Sequence, residues 1–321
     1  MDNDELENIY SKLAQECGVA VENGRIAIGT FYEDENKKVA AVKGFKEAMA
    51  PWRRLAIECV NYLSILSFTS TEVLSDFPEG KNEITRRFLQ SQFSLTSRAS
   101  LDIRSIIDLI DNGYGTQADI ISSSTAEVLE LAAAIWIDRE IAVPFYEADT
   151  HDKANKFWHA YLSKGKVRKI IEKFLLEEVP NLEDSRPEHM AWKSQTGRYL
   201  GATKHPSYFT PFLHIFSEIE EDVPYHPIEP ILSPSSVATY QHIADHCVEL
   251  ANVILLSVVR RSSRPNSRKR RFFEDEALNS YAERGHKFMQ KLWIYYLENQ
   301  DRHPFSLWRD LEEAGDQVKG S

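Results

Sequence analysis

Glu127-Val-Leu-Glu-Leu-Ala-Ala-Ala-Ile-Trp136 is apolar nearly all round over its middle turns. A helix with no polar side is stable in water only when other helices cover it. The stretch therefore predicts a central, buried helix, running from about Gln117 to Ile141. Two carboxylates, Glu127 and Glu130, lie within it. A buried carboxylate needs a partner, so each is expected to meet a cation or to sit at a solvated edge.

Helical patterns dominate on either side. Pro51 fits the start of a long helix that ends near Ser75. Leu55, Ile57, Val60, Leu63 and Leu66 recur within it at helical spacing, which marks a core face. Asp76-Phe-Pro-Glu-Gly80 reads as a turn. The next helix spans about Lys81 to Asp111 and is capped by Asn112-Gly113. Further helices are expected over about 2–17, 37–49, 151–178, a short stretch ending near Leu200, one starting near Pro206, 235–259, 274–298 and 304–314. The 274–298 helix is amphipathic and carries Trp293, Tyr295 and Tyr296. Pro180 to Pro187 is a linker. Pro224, Pro227, Pro230 and Pro234 mark an extended loop. One sheet is expected, where alternating apolar residues flank Asn23-Gly24, the pair that favours a type I′ hairpin turn.

Composition narrows the class. Hydrophobic residues make up 42% of the 321 residues and charged residues 27%, as in a folded globular chain. The three cysteines, Cys17, Cys59 and Cys247, are far apart and form no CxxC, which argues against a disulfide framework or zinc knuckle. Met1-Asp-Asn-Asp-Glu5 has neither the basic nor the apolar region of a signal peptide, and the apolar run Leu131–Ile137 is too short to span a bilayer. A cytoplasmic protein without membrane partners is expected. The net charge of −11 argues against a generic nucleic-acid coater. A local basic patch retains that capacity, because screening confines such fields to about 10 Å. Arg260, Arg261, Arg264, Arg268, Lys269, Arg270 and Arg271 form such a patch, suited to phosphate backbones. Glu274, Asp275 and Glu276 follow it directly.

Several chemistries lose their prior. No Walker A, GxGxxG or GxSxG pattern occurs. His242-x-x-x-His246 places two imidazoles on one helix face, but Ile243 stands where a zinc protease needs glutamate. Glu283-x-x-His286 occurs singly, whereas di-iron bundles need two such motifs. No metal and no cofactor are expected.

Arg198-Tyr-Leu-Gly-Ala-Thr-Lys-His205-Pro-Ser207 holds the candidate catalytic pair. Arg198 is a fixed cation, and His205 titrates near neutrality. Together they supply what metal-free phosphodiester cleavage requires. Pro206 disfavours helical geometry at His205 and fits a helix start, whose free N–H groups attract phosphate. Lys204 adds positive charge.

This stretch, with Asp108-Leu-Ile-Asp-Asn-Gly-Tyr114 and Ser124-Thr-Ala-Glu127, resembles a group of bacterial all-helical proteins similar to the HEPN superfamily. The resemblance covers about residues 90–260. That group carries serine where Gly201 stands, and arginine where Ser123 or Ser124 stands. The resemblance implies an all-α, HEPN-like bundle over about 81–260, flanked by the N-terminal helices and hairpin (1–80) and by the basic loop and last helices (261–321), in one compact unit. It further implies an RNA-cleaving toxin or phage-defence enzyme. His205 would be the general base on a ribose 2′-hydroxyl, and Arg198 would stabilise phosphate charge, with Lys204, Ser207 and Glu127 in support. The products would be 2′,3′-cyclic phosphates, and the enzyme a homodimer with an antitoxin or sensor partner. The competing expectation is a non-catalytic helical module that binds a protein or oligomerises, which the acidic net charge favours.

Overall fold

The computed structural model describes residues 12, 15–16, 20–22, 25–27, 49–77, 82–112, 114–163, 165–178, 235–262 and 276–298. The chain divides into two compact units, Met1–Phe45 and Lys46–Ser321.

In the first unit, β1 (Ala20–Glu22) and β2 (Arg25–Ala27) pair antiparallel, with Val21 opposite Ile26 and Glu22 opposite Arg25. Asn23 and Gly24 lie outside the described residues, as do most of 2–17 and nearly all of 37–49.

Among its described residues the second unit is helical. Its helices are α1 (Ala50–Ser75), α2 (Glu83–Asp111), α3 (Gly115–Ile137), α4 (Ala142–Tyr146), α5 (His151–Tyr161), α6 (Lys166–Glu178), α7 (Ser235–Ser262) and α8 (Glu276–Glu298). Four of them close a ring: α1 packs on α2, α2 on α3, α3 on α7, and α7 returns to α1. The α8 helix covers the α1–α7 side, and α6 lies against α3 and α7.

The antiparallel run of α1 and α2 follows from their cross-links. Near the start of α1, Arg53 Nε donates to both carboxylate oxygens of Asp111, the last residue of α2 (3.2 and 2.9 Å). Further along, Ser64 meets Ser100 at 3.3 Å and Ser67 meets Ser97 at 2.6 Å. As the α1 number rises, the α2 number falls. Small hydroxyl residues at this seam let the helices approach closely. Several other hydroxyls are satisfied on their own helix, as Thr69 and Ser70 are by the Ile65 and Leu66 carbonyls. The α2–α3 pair is antiparallel too. Buried Gln92 donates from Nε2 to the Ala132 carbonyl (3.0 Å), and Arg98 donates to Ser124 Oγ (3.3 Å). Phe88 meets Trp136 edge-on at 4.8 Å. By contrast α7 runs in the same sense as α3. Thr239 donates to buried Asp119 near the start of both, and His246 approaches Glu130 further on. The connection between α3 and α7 is therefore a crossover.

The core lies inside the ring. Trp52, Leu55, Leu63, Ile103, Leu129 and Tyr240 are all nearly inaccessible to solvent. Burying a large apolar side chain of this kind contributes about 1.5–3 kcal/mol. The α1 periodicity is confirmed, with Leu55, Val60, Leu63 and Leu66 buried and Ile57 half-buried. Helix α3 is the central one, in contact with α2, α6 and α7. It is also long and apolar enough to cross a membrane by length and composition. Burial of Ala132, Ala133, Ala134, Ile135 and Trp136 marks it as a core helix.

Boundaries follow local chemistry. Pro51 occupies the second position of α1, where its missing N–H costs no helical bond. Asn82 caps α2 by accepting the Thr85 N–H (3.3 Å). At the other end the Tyr114 N–H returns to the Leu109 carbonyl (2.8 Å), the six-to-one bond of a Schellman stop.

Two predicted helices are shorter than the sequence reading expects. The helix expected to reach Ile141 ends at Ile137, because Asp138 turns extended and its side chain accepts the Glu140 N–H (3.1 Å). A 3₁₀ turn, Arg139–Ile141, and α4 follow. The single helix expected over 151–178 is two. Gly165, with φ of +61°, takes the left-handed conformation that stops α5 short of α6.

Candidate functional site

The predicted catalytic segment, with Arg198, Lys204, His205 and Ser207, lies outside the described residues, as do Arg264, Arg268, Lys269, Arg270 and Arg271 of the basic loop. The α7 backbone carries Arg260 and Arg261 in its last turn. Glu127 is half-buried on α3, one turn before Glu130. Ser124, in the same Ser124-Thr-Ala-Glu127 element, accepts a hydrogen bond from Arg98 of α2.

The structure concentrates charge elsewhere, at the junction of α3, α6 and α7. On α7, His242, Asp245, His246 and Glu249 recur at the spacing that normally marks an apolar face. Each is only 6–7% exposed. Such a buried polar stripe needs polar partners facing it. Glu130 of α3 and Arg168 of α6 supply them. Arg168 Nη1 donates to Glu249 Oε1 at 2.8 Å and to Glu130 Oε1 at 3.2 Å, while its Nε donates to Glu172 Oε1 at 3.2 Å. His246 Nδ1 is 4.0 Å from Glu130 Oε1. The His242 and His246 rings meet edge-on with centroids 4.5 Å apart.

Burial pulls the Arg168 pKa down, but Glu249, Glu130 and then Glu172 outweigh it, so the net direction is up. The guanidinium stays charged and cross-links three helices. Breaking one partner of such a buried network is expensive, because the others are left uncompensated. Arg168, Glu172 and Glu249 are members that the sequence reading missed. The signal for Glu249 was available in the polar stripe. The signal for Arg168 was not, since it stands 38 residues from Glu130 and 81 from Glu249. A shallow depression of about 360 Å³ along α6, lined by Lys169, Glu172, Lys173, Leu176 and Glu177, shares Glu172 with the network.

The Glu283-x-x-His286 motif does not converge. Glu283 pairs with Lys287 at 2.6 Å on the surface. His286 faces inward and shares a 2.7 Å hydrogen bond with the Tyr62 hydroxyl. Burial drives the His286 pKa down to about 3. Burial, then nearby Cys247 and Cys59, raises that of Tyr62. Both side chains are neutral at physiological pH. Cys59 and Cys247 are free and buried, and the contact with Cys59, followed by burial, raises the Cys247 thiol. A buried thiol held protonated is a poor nucleophile, so this pocket is packing rather than chemistry.

Compared with protein-family models, curated proteins and solved structures, the chain matches none.

Proposed function

We propose that this protein is a metal-independent endoribonuclease of a bacterial toxin or phage-defence system. The observation that carries the reading is the Arg198…His205-Pro-Ser207 element in a chain whose second unit is helical among its described residues. His205 takes the proton of a ribose 2′-hydroxyl, which then attacks the adjacent phosphorus, and the 5′-oxygen leaves. Arg198 balances the charge that builds on the non-bridging oxygens. Lys204 and the cations of 260–271 hold the strand by its phosphates, and Ser207 and Glu127 support the site. A homodimer acting in the cytoplasm belongs to the same reading.

The test is RNA incubated with the purified full chain in excess EDTA. Cleavage is expected in the wild type, with loss of about a hundredfold or more in His205→Ala and in Arg198→Ala. Folding of each variant is checked by circular dichroism.

One observation favours a second reading, a non-catalytic module that binds a partner or oligomerises. Leu101 (62% exposed) and Phe93 (43%) lie on the outer face of α2, and Phe68 (53%) is exposed on neighbouring α1. Intact RNA in every assay, together with a smaller sedimenting species for Leu101→Asp, would support that module.

A further inference from the structure

We propose that the α3–α6–α7 junction binds a divalent transition-metal ion, with Glu130, His246 and Glu249 as ligands and Arg168 as the cation it displaces. The proposal is independent of the nuclease reading, since it uses none of that reading's catalytic residues.

Convergence is the first argument. His246 and Glu249 are three residues apart on α7 and so share a face, while Glu130 reaches them from α3. Ligand atoms of all three side chains lie within 4.8 Å of one another. Opposite ligands of one ion, each bound at about 2.0–2.4 Å, span about 4–4.8 Å. The set therefore closes on a metal with small side-chain adjustments.

Burial is the second. The side chains of His246 and Glu249 are 6% and 7% exposed, so neighbouring atoms fix their rotamers. Glu130, at 20%, leaves an approach for an ion. Pre-positioned ligands lose little freedom on coordination.

The third argument is the guanidinium itself. Arg168 Nη1 sits between Glu249 and Glu130, bonded to an oxygen of each. It marks the point at which the fold accepts positive charge. An ion there takes over its role toward both carboxylates. Arg168 can yield, because its side chain is 21% exposed and its Nε remains bonded to Glu172.

The donor set selects the ion. One imidazole nitrogen and two carboxylate oxygens suit Zn²⁺ or Mn²⁺ rather than Ca²⁺ or Mg²⁺, which favour all-oxygen shells. Remaining positions would be filled by water.

The experiment is calorimetric titration of the EDTA-stripped, dialysed full chain with ZnCl₂ and with MnCl₂. Bound metal is counted by elemental analysis. One equivalent per chain is expected for at least one of the two ions. His246→Ala and Glu249→Gln should each weaken it about tenfold or more. Arg168→Gln should bind about tenfold more tightly than the wild type, because the competing cation is gone. Glu130→Gln, with a smaller perturbation, covers the case in which another variant fails to fold. The absence of saturable binding in both the wild type and Arg168→Gln would overturn the site. So would binding indifferent to Glu249→Gln and Glu130→Gln, or no gain in affinity in folded Arg168→Gln.

Discussion

His286 makes the most direct link between one side chain and a measurable property. Its folded pKa of about 3 lies below the ordinary histidine value of 6.5, because burial opposes the charged ring. Below pH 6.5 the unfolded chain takes up a proton that the folded chain refuses. The stabilising contribution is therefore complete above 6.5 and is lost as pH falls toward 3. Between pH 6.5 and 5 this group alone should remove about 2 kcal/mol. Urea denaturation across that range should show the slope in the wild type and a shallower one in His286→Gln. Equal slopes would show that His286 does not carry the effect. Arg168 makes the opposite case, a charge kept in the interior by partners. Arg168→Ala should cost about 3–5 kcal/mol in metal-free buffer, read by the same denaturation, because Glu130 and Glu249 would face each other uncompensated.

At the level of the element, helix ends follow their capping residues more closely than their hydrophobic pattern. Pro51 and the Asn112 stop were legible because each acts through its own backbone geometry. The breaks at Asp138 and Gly165 were not read. Apolar periodicity ran on through both, yet a side-chain bond to the backbone at one and a left-handed φ at the other ended the helix. Two glycines test this. At Gly165 (φ +61°) a Cβ would meet nothing within 4 Å, so the cost of Gly165→Ala is backbone strain alone, about 1–2 kcal/mol of destabilisation. In α8, a Cβ at Gly285 would make ordinary contact with Ile65 (3.6 Å) and Tyr62 (3.7 Å). Gly285→Ala should therefore stabilise by about 0.5–1 kcal/mol through its helix propensity. Thermal unfolding of the pair should move in opposite directions; a shift of the same sign in both would refute the conformational argument.

For the whole molecule, sequence pattern reached the all-α class and the buried central helix, because both follow from one-dimensional periodicity. It did not reach the charged junction of α3, α6 and α7. The i,i+4 spacing of His242 and His246 put them on one face, but whether that face meets water depends on α6 packing from far along the chain. The His205 base and Arg198 cation of the proposed nuclease rest on local sequence alone, so chemistry decides them. The basic segment 260–271 belongs to that account too: RNA affinity should fall steeply with added salt, and more shallowly when Arg268, Lys269, Arg270 and Arg271 are replaced by glutamine. The most direct measurement is mass spectrometry of the ends left on a defined RNA after incubation with the full chain in EDTA. The account predicts 2′,3′-cyclic phosphate ends from the wild type and none from His205→Ala. Intact RNA, or identical cyclic ends from both proteins, would contradict it.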